Sequence, residues 1–330
     1  MTEQDRVRAI VARGYTERQA RFLVLVMLHS GVCTVRQYCQ FAGITRGQKS
    51  QDFFAGLIAE KHASASGDAN GKLRIFHVYA SALYDAIGEP NNRNRKPVPM
   101  AAAIERIMLL DSVLACQDLT WLATEREKVA YFTTALGRGF RRSDLPHLTF
   151  GTLPNVTTRF FPDKLPIGLA PADETVFAYL IRRPSPVDFR SFLSAHAELL
   201  RSLPQWRLRL VVPRHLLESE GPYLNAFREE LLSPLRPGVV DELKWYFEEK
   251  SKGWASAGSV ESQRFRAARQ AFDSPRFNAL YRRWVEMGPR ALDPLSSPSL
   301  ADAISRRKGR VETYVLGHSY FRLQSMVGTA

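Results

Sequence analysis

Residues 34–48 read TVRQYCQFAGITRGQ, and they carry one local signal twice. Thr34 with Gln37, and Thr45 with Gln48, both have the form Thr-x-x-Gln. In that pattern a hydroxyl and an amide side chain reciprocally satisfy the orphan backbone N–H groups at the start of a helix. Gly43, between the two, suits the left-handed conformation that closes a helix. The stretch therefore predicts a short helix over Val35 to Phe41 or Ala42, a tight turn of Gly43-Ile44-Thr45, and a new helix start.

Upstream, Thr16 with Gln19 repeats the signal. It predicts a helix from Glu17 to His29, with Ala20, Leu23, Val24, Met27 and Leu28 at helical spacing and a stop at Ser30-Gly31. Downstream, the helix from about Arg46 to Lys61 places Phe53, Phe54, Leu57 and Ile58 on one face. Its first two turns hold Arg46, Gln48, Lys49, Ser50, Gln51 and Asp52. A long helix, a short helix, a tight turn and a third helix with a polar N-terminal half are the parts of a helix-turn-helix, whose last helix enters a major groove.

Ala63 to Gly71 is small and polar, and Lys72 to Tyr79 then alternates as a half-buried strand does. This pair reads as a wing, closed by a helix from Ser81 to Ile87 that stops at Gly88. Residues 1–90 are thus expected to form a winged helix-turn-helix on double-stranded DNA. Within it Gln48 and Gln51 suit adenine edges, and Arg46 and Lys49 suit guanine or phosphate. Arg36, on the preceding helix, is counted with them. Lys72 and Arg74 in the wing are expected on phosphates. So are Arg93, Arg95 and Lys96 in the Asn- and Pro-rich linker 91–99, unless that segment is only a solvated connection.

Charge agrees with a polyanionic partner. The 330 residues carry 46 Lys and Arg against 33 Asp and Glu, a net +13. The excess sits at the two ends, with 14 basic against 8 acidic residues over 1–98 and 13 against 6 over 251–330. A field of that sign favours nucleic acid as partner over membrane. The acidic, polar start is no secretory leader and the apolar run Phe22–Leu28 is too short to span a bilayer, so a cytoplasmic location is expected.

Catalytic patterns are missing. Cys33, Cys39 and Cys116 have no C-x-x-C spacing and read as small buried hydrophobes, and the seven histidines are scattered. Gly137-Arg138-Gly139 is too sparse for a phosphate loop. No catalytic residue, metal ligand or cofactor is assigned, and the chain is not expected to be an enzyme.

After the linker, Met100 to Phe132 shows helical spacing that includes Trp121 and Leu122. Leu148-Thr149-Phe150, Thr157 to Phe161, Thr175 to Ile181 and Arg207 to Pro213 read as strands, with a helix between the last two that ends at Ser202. Strand, helix, strand is a βαβ crossover, which makes the region 100–240 an α/β domain and the whole chain α+β. Residues 241–330 read as a basic helical region.

Taken together, Thr34-Val35-Arg36-Gln37-Tyr38, Ser81-Ala82-Leu83-Tyr84 and Pro162-Asp163 between strand-like runs make the chain resemble the replication-relaxation family of plasmids and mobile elements. The likeness is diffuse and covers about Glu17 to Pro213. It implies a winged helix followed by a restriction-endonuclease-like domain, acting in replication control or transcription. In nucleases of that topology an Asp, then an acid-x-Lys on the next strand, hold a divalent metal. Asp163 matches the first position, but Val176 to Ile181 offers no carboxylate and Glu174 precedes the strand, so the resemblance implies a degenerate scaffold. A nuclease completed from elsewhere, or a winged-helix assembly module, are the competing readings. Whether the protein forms a homodimer is left open.

Overall fold

The first two Thr-x-x-Gln signals open helices where the sequence places them. In a computed structural model of the chain, which describes residues 1–67, 74–116, 118–135, 140–142, 145–151, 155–232, 235–252, 260–273, 275–293, 305–306 and 309–321, both are complete capping boxes. Thr16 Oγ1 accepts from the Gln19 amide and Gln19 Oε1 from the Thr16 amide, and Thr34 and Gln37 repeat the arrangement. A box not foreseen, Thr2 with Asp5, starts α1 (Glu3–Val11). Then follow α2 (Glu17–His29), β1 (Val32–Cys33), α3 (Val35–Ala42), closed by Gly43 at φ +63°, and α4 (Gln48–Ala59).

The third signal fails. Gly47, not Thr45, caps α4, because Ser50 is buried and its hydroxyl folds back to bond both the amide and the carbonyl of Gly47. The helix begins two residues later than its Thr-x-x-Gln predicts. Beyond it, β2 (Ala63–Gly67) and β3 (Arg74–Val78) pair antiparallel, and β1 pairs on the other side of β3, giving the order β1-β3-β2. The connection 68–73 lies outside the described residues. Helix α5 (Ser81–Ala86) closes the unit before Gly88 at φ +76°. Its core is a chain of rings, Phe22 on Tyr38, Tyr38 on Phe53, and Phe54 on Phe76, with centroids 5.2, 4.5 and 4.2 Å apart.

The linker is no free connection. Asn92 caps a short turn at Arg93–Arg95, and Asn94 Nδ2 donates to the Met27 and Leu28 carbonyls at 3.0 and 3.1 Å, capping the C-terminal end of α2. The Asn94 carbonyl accepts from His77 Nε2 at 3.0 Å on β3.

Helix α6 (Met100–Ala115) is apolar on two sides. Leu110 and Leu114 pack into the N-terminal core, while Ala103, Ile104, Ile107 and Met108 pack on the main sheet. Trp121 and Leu122, expected in a helix, instead belong to strand β4 (Thr120–Leu122), which pairs antiparallel with Ile167–Leu169, and the next element opens with a fourth box, Thr124 with Glu127. That element is α7 (Glu125–Ala130). The hairpin of β5 (His147–Phe150) and β6 (Thr157–Phe160) stands apart as a two-stranded sheet.

Strands β7 (Ile167–Ala170), unforeseen, and β8 (Glu174–Leu180), helix α8 (Val187–Ser202) and β9 (Trp206–Val212) complete the expected crossover. Helices α9 (Glu220–Phe227), α10 (Pro237–Ser251), α11 (Val260–Ala271) and α12 (Pro275–Met287) follow, the last three sharing a small core around Leu243 and Phe247. The tail is not helical throughout. Its β10 (Arg310–Val315) returns to the main sheet, whose order is β10-β9-β8-β7-β4. β7 is antiparallel to both its neighbours, and β8, β9 and β10 run parallel.

Alternation along the strands makes two faces. Phe177, Tyr179, Leu208 and Leu210 bury against α8 and α9, and Ala178, Leu180 and Val211 against α6. β10 is held by charge as well as backbone, since Glu312 accepts from Arg207 and Arg209 and Glu174 pairs with Arg207 and Arg310. The chain is a mixed α/β protein, and no helix among the described residues is long and apolar enough to cross a membrane. All three cysteines are buried and free.

Candidate nucleic-acid interface

Helix α4 turns its two sides to different solvents. Phe53, Phe54, Leu57 and Ser50 are buried, while Gln48, Lys49, Gln51 and Asp52 on the helix, and Arg46 before it, are exposed. The ring chain from Phe22 to Phe76 fixes this orientation, because turning α4 would pull Phe53 and Phe54 from their aromatic neighbours. Gln48 Nε2 donates to Asp52 Oδ1 at 2.6 Å one turn on, which leaves its carbonyl oxygen and second N–H outward. Arg46, Gln48, Lys49 and Gln51 thus form one polar outer surface.

The other expected contacts separate from that surface. Arg74 is exposed on β3, and Lys72 lies outside the described residues, as does Gly137-Arg138-Gly139. Arg36 points inward instead: Nη2 donates to Asp111 Oδ2 at 2.6 Å, and Gln37 Nε2 reaches Asp111 Oδ1 at 3.1 Å. The buried Asp111 carboxylate also accepts from the Tyr320 hydroxyl at 2.5 Å. Arg36 therefore serves the contact between α3 and α6, a role its exposed-looking helical position in the sequence does not disclose.

Arg93 and Lys96 are exposed and Arg95 is half-buried, its Nη1 on the Pro90 carbonyl at 2.5 Å. These three sit at the C-terminal end of α2. The α3–α4 turn lies at its other end, where Arg18 donates to the Ala42 carbonyl at 3.2 Å. The intervening helix, at 1.5 Å per residue, separates the two groups by roughly 15 Å. Arg46, Gln48, Lys49 and Gln51 are thus one group, and Arg93, Arg95 and Lys96 another.

Asp163 lies in the turn between β6 and β7. Its Oδ1 accepts from the Leu165 amide at 3.1 Å, and its Oδ2 stands 3.7 Å from Nε2 of the buried His196. His196 Nδ1 donates to the Phe192 carbonyl at 2.9 Å, so the neutral ring turns a lone pair toward the carboxylate. Burial lowers the His196 pKa, and Asp163 works against that. Glu174 cannot join them: it starts β8, in register with Ala170 at the far end of the β7–β8 ladder, and is held by Arg207 and Arg310. Among the described residues no three His, Cys, Asp or Glu side chains are grouped to hold a metal ion.

Lys128 on α7 is 4% exposed, with Nζ donating to the Leu165 carbonyl at 2.6 Å. Burial pushes its pKa down to about 8, opposed by Asp163, Glu125 and Glu127. Below pH 8 the ammonium is charged both folded and unfolded, and its burial opposes folding in full. Above pH 8 the folded chain releases the proton while the unfolded chain keeps it up to about 10.5, so stability from this group rises over that window. A displacement of that size corresponds to roughly 3 kcal/mol, and the lost carbonyl bond offsets about 1 kcal/mol. Lys128→Met is accordingly expected to be about 2 kcal/mol more stable than the natural chain in urea unfolding at pH 7, with the gap closing by pH 10. A gap that does not depend on pH would remove the charge from the explanation.

Sequence reading missed a second set of cations. Arg106, Arg126, Arg142, Arg159, Lys164 and Lys128 line clefts between the N-terminal unit and the main sheet. They come from five separate elements and turns, so no local run announces them. Comparison with known proteins adds nothing to this geometry: no family model, no curated protein and no solved structure matches the chain.

Proposed function

We propose that this chain is a cytoplasmic DNA-binding protein in which residues 1–90 form a winged helix-turn-helix that sets α4 in the major groove of double-stranded DNA. The observation that carries the reading is the division of α4 into a buried aromatic side and an outer side of Arg46, Gln48, Lys49 and Gln51. The succession α2, β1, α3, α4 and the β2–β3 hairpin supports it, since a recognition helix followed by a hairpin offers groove and backbone contacts together.

The second unit is, on this proposal, a restriction-endonuclease-like scaffold without nuclease chemistry. Helix α6, the antiparallel meander β4-β7-β8, the crossover α8 and parallel β9 support the scaffold. The pairing of Glu174 with two arginines supports the loss of chemistry. We assign the process, on the sequence resemblance to the replication-relaxation family, to replication control or transcription of a plasmid or mobile element.

Gel shifts on duplex DNA from around its own gene test the proposal. A Gln48→Ala, Lys49→Ala double variant should bind at least ~1 kcal/mol more weakly, the usual loss for a base contact. An unchanged affinity in a folded double variant would overturn the assignment of α4.

A further inference from the structure

Two clefts adjoin between the N-terminal unit and the main sheet, of about 1530 and 730 Å³, and His29, Asn94, Pro162 and Lys164 line both. The β5–β6 hairpin stands at their junction, with His147, Leu148 and Thr149 on the larger and Arg159 and Phe160 on the smaller. The smaller is strongly basic, holding Arg93, Arg126, Lys128, Arg142, Arg159 and Lys164 against Glu89 and Glu125. Glu89 is engaged by Arg6 and Arg126, and Glu125 by Arg159. Arg93, Arg142 and Lys164 are left without a carboxylate partner among the described residues.

Like charges are held together here at a cost. Burial and then Arg93, Arg106 and Arg159 lower the Lys164 pKa. Lys164 and Phe161, at the two ends of the turn that forms the cleft wall, have φ of +56° and +48°, a conformation that bulky residues seldom adopt. The Arg142 guanidinium lies 5.1 Å from the Phe160 ring centroid, a flat cationic and aromatic pair at the cleft edge. Asn94 pins Arg93 in place through its bonds to α2.

We propose that the smaller cleft binds a single strand of nucleic acid, with phosphates on Arg93, Arg159 and Lys164 and an unpaired base on the Arg142–Phe160 pair. This rests on the DNA-binding reading above and adds to it a second site for unpaired strand. Cations that track a backbone beside an aromatic platform are what single strands require. A volume of about 730 Å³ lies within the ~300–1000 Å³ of ligand pockets, a size that suits a few nucleotides of one strand. Continuity with the larger cleft gives a polymer a path on past the hairpin.

Fluorescence anisotropy with a mixed-sequence single-stranded oligonucleotide, and with the duplex it forms with its complement, tests this on the full chain. Arg159→Gln with Lys164→Gln should weaken single-strand binding at least tenfold and flatten its salt slope by about 1.4, at ~0.7 per phosphate. Duplex affinity should not change, and Gln48→Ala with Lys49→Ala should show the reverse pattern. Arg142→Ala, which keeps Arg159 and Lys164, should lose affinity with little change in slope beyond one charge. Unchanged single-strand affinity in a cleft variant whose thermal unfolding matches the natural chain overturns the proposal. So does a mononucleotide that competes as well as the oligonucleotide. Single-strand binding that is lost in the cleft variant while the natural chain ignores duplex would uphold the cleft and overturn the α4 reading instead.

Discussion

Asp111→Ala should lower the unfolding free energy by about 3–5 kcal/mol, the range for breaking a buried charge network by removing one partner. The carboxylate is 5% exposed and accepts from Arg36, Gln37 and Tyr320, so its loss leaves three donors without their acceptor at once. Gln37 is itself fully buried and bonds the Ile107 carbonyl at 2.9 Å with the same nitrogen, so it has little room to turn elsewhere. Those donors come from α3 and from the segment after β10, and Asp111 is where α6 receives both. Tyr320→Phe, which removes a single hydroxyl, should cost about 1 kcal/mol. Urea unfolding that gave Asp111→Ala the smaller loss of the two would remove Asp111 from the centre of the contact.

Gly31→Ala should cost about 3 kcal/mol, through two effects that a second glycine separates. Gly31 has φ +73°, and a Cβ there would stand 2.3 Å from the Asn94 carbonyl oxygen. That oxygen is not free to retreat, since Asn94 is fixed by Met27, Leu28 and His77. Gly43 has a similar φ of +63° but nothing within 4 Å of an added Cβ, so Gly43→Ala reports the conformational cost alone, about 1–2 kcal/mol. The excess at Gly31 measures the contact between α2 and the linker. Trypsin should then cut after Arg93 or Arg95 faster in Gly31→Ala than in Gly43→Ala; equal rates and equal midpoints would mean that the linker is not held there.

Legibility in the sequence followed the range of the interaction. Helices α2 and α3 were readable because their caps lie within four residues, and each terminates at a glycine or at Ser30-Gly31. Thr45 misled for the same local reason, since a Ser five residues on could compete for the helix start and only burial decides between them. Strand β2 is Ala-Ser-Ala-Ser-Gly, with nothing β-prone in it, and exists because β3 offers a pairing edge. The outer residues of α4 follow from its apolar spacing. Arg36 does not, because Asp111 lies 75 residues away, and the basic cleft does not, because its cations are brought together only by the fold.

Strand β10 has a consequence for how the chain is made. Its Glu312 follows its partner Arg209 by 103 residues, and at synthesis rates of roughly 5–20 residues per second the ribosome needs on the order of ten seconds to deliver it. The N-terminal unit, built from near neighbours, is finished well before then. For that interval β9 is an uncovered edge, the kind of strand on which nascent chains associate wrongly. Arg207 already pairs with Glu174 of β8, but Arg209 stands on that edge meanwhile as a charge that repels a second copy of it, and Glu312, the carboxylate that later neutralises Arg209, arrives on the strand that belongs there.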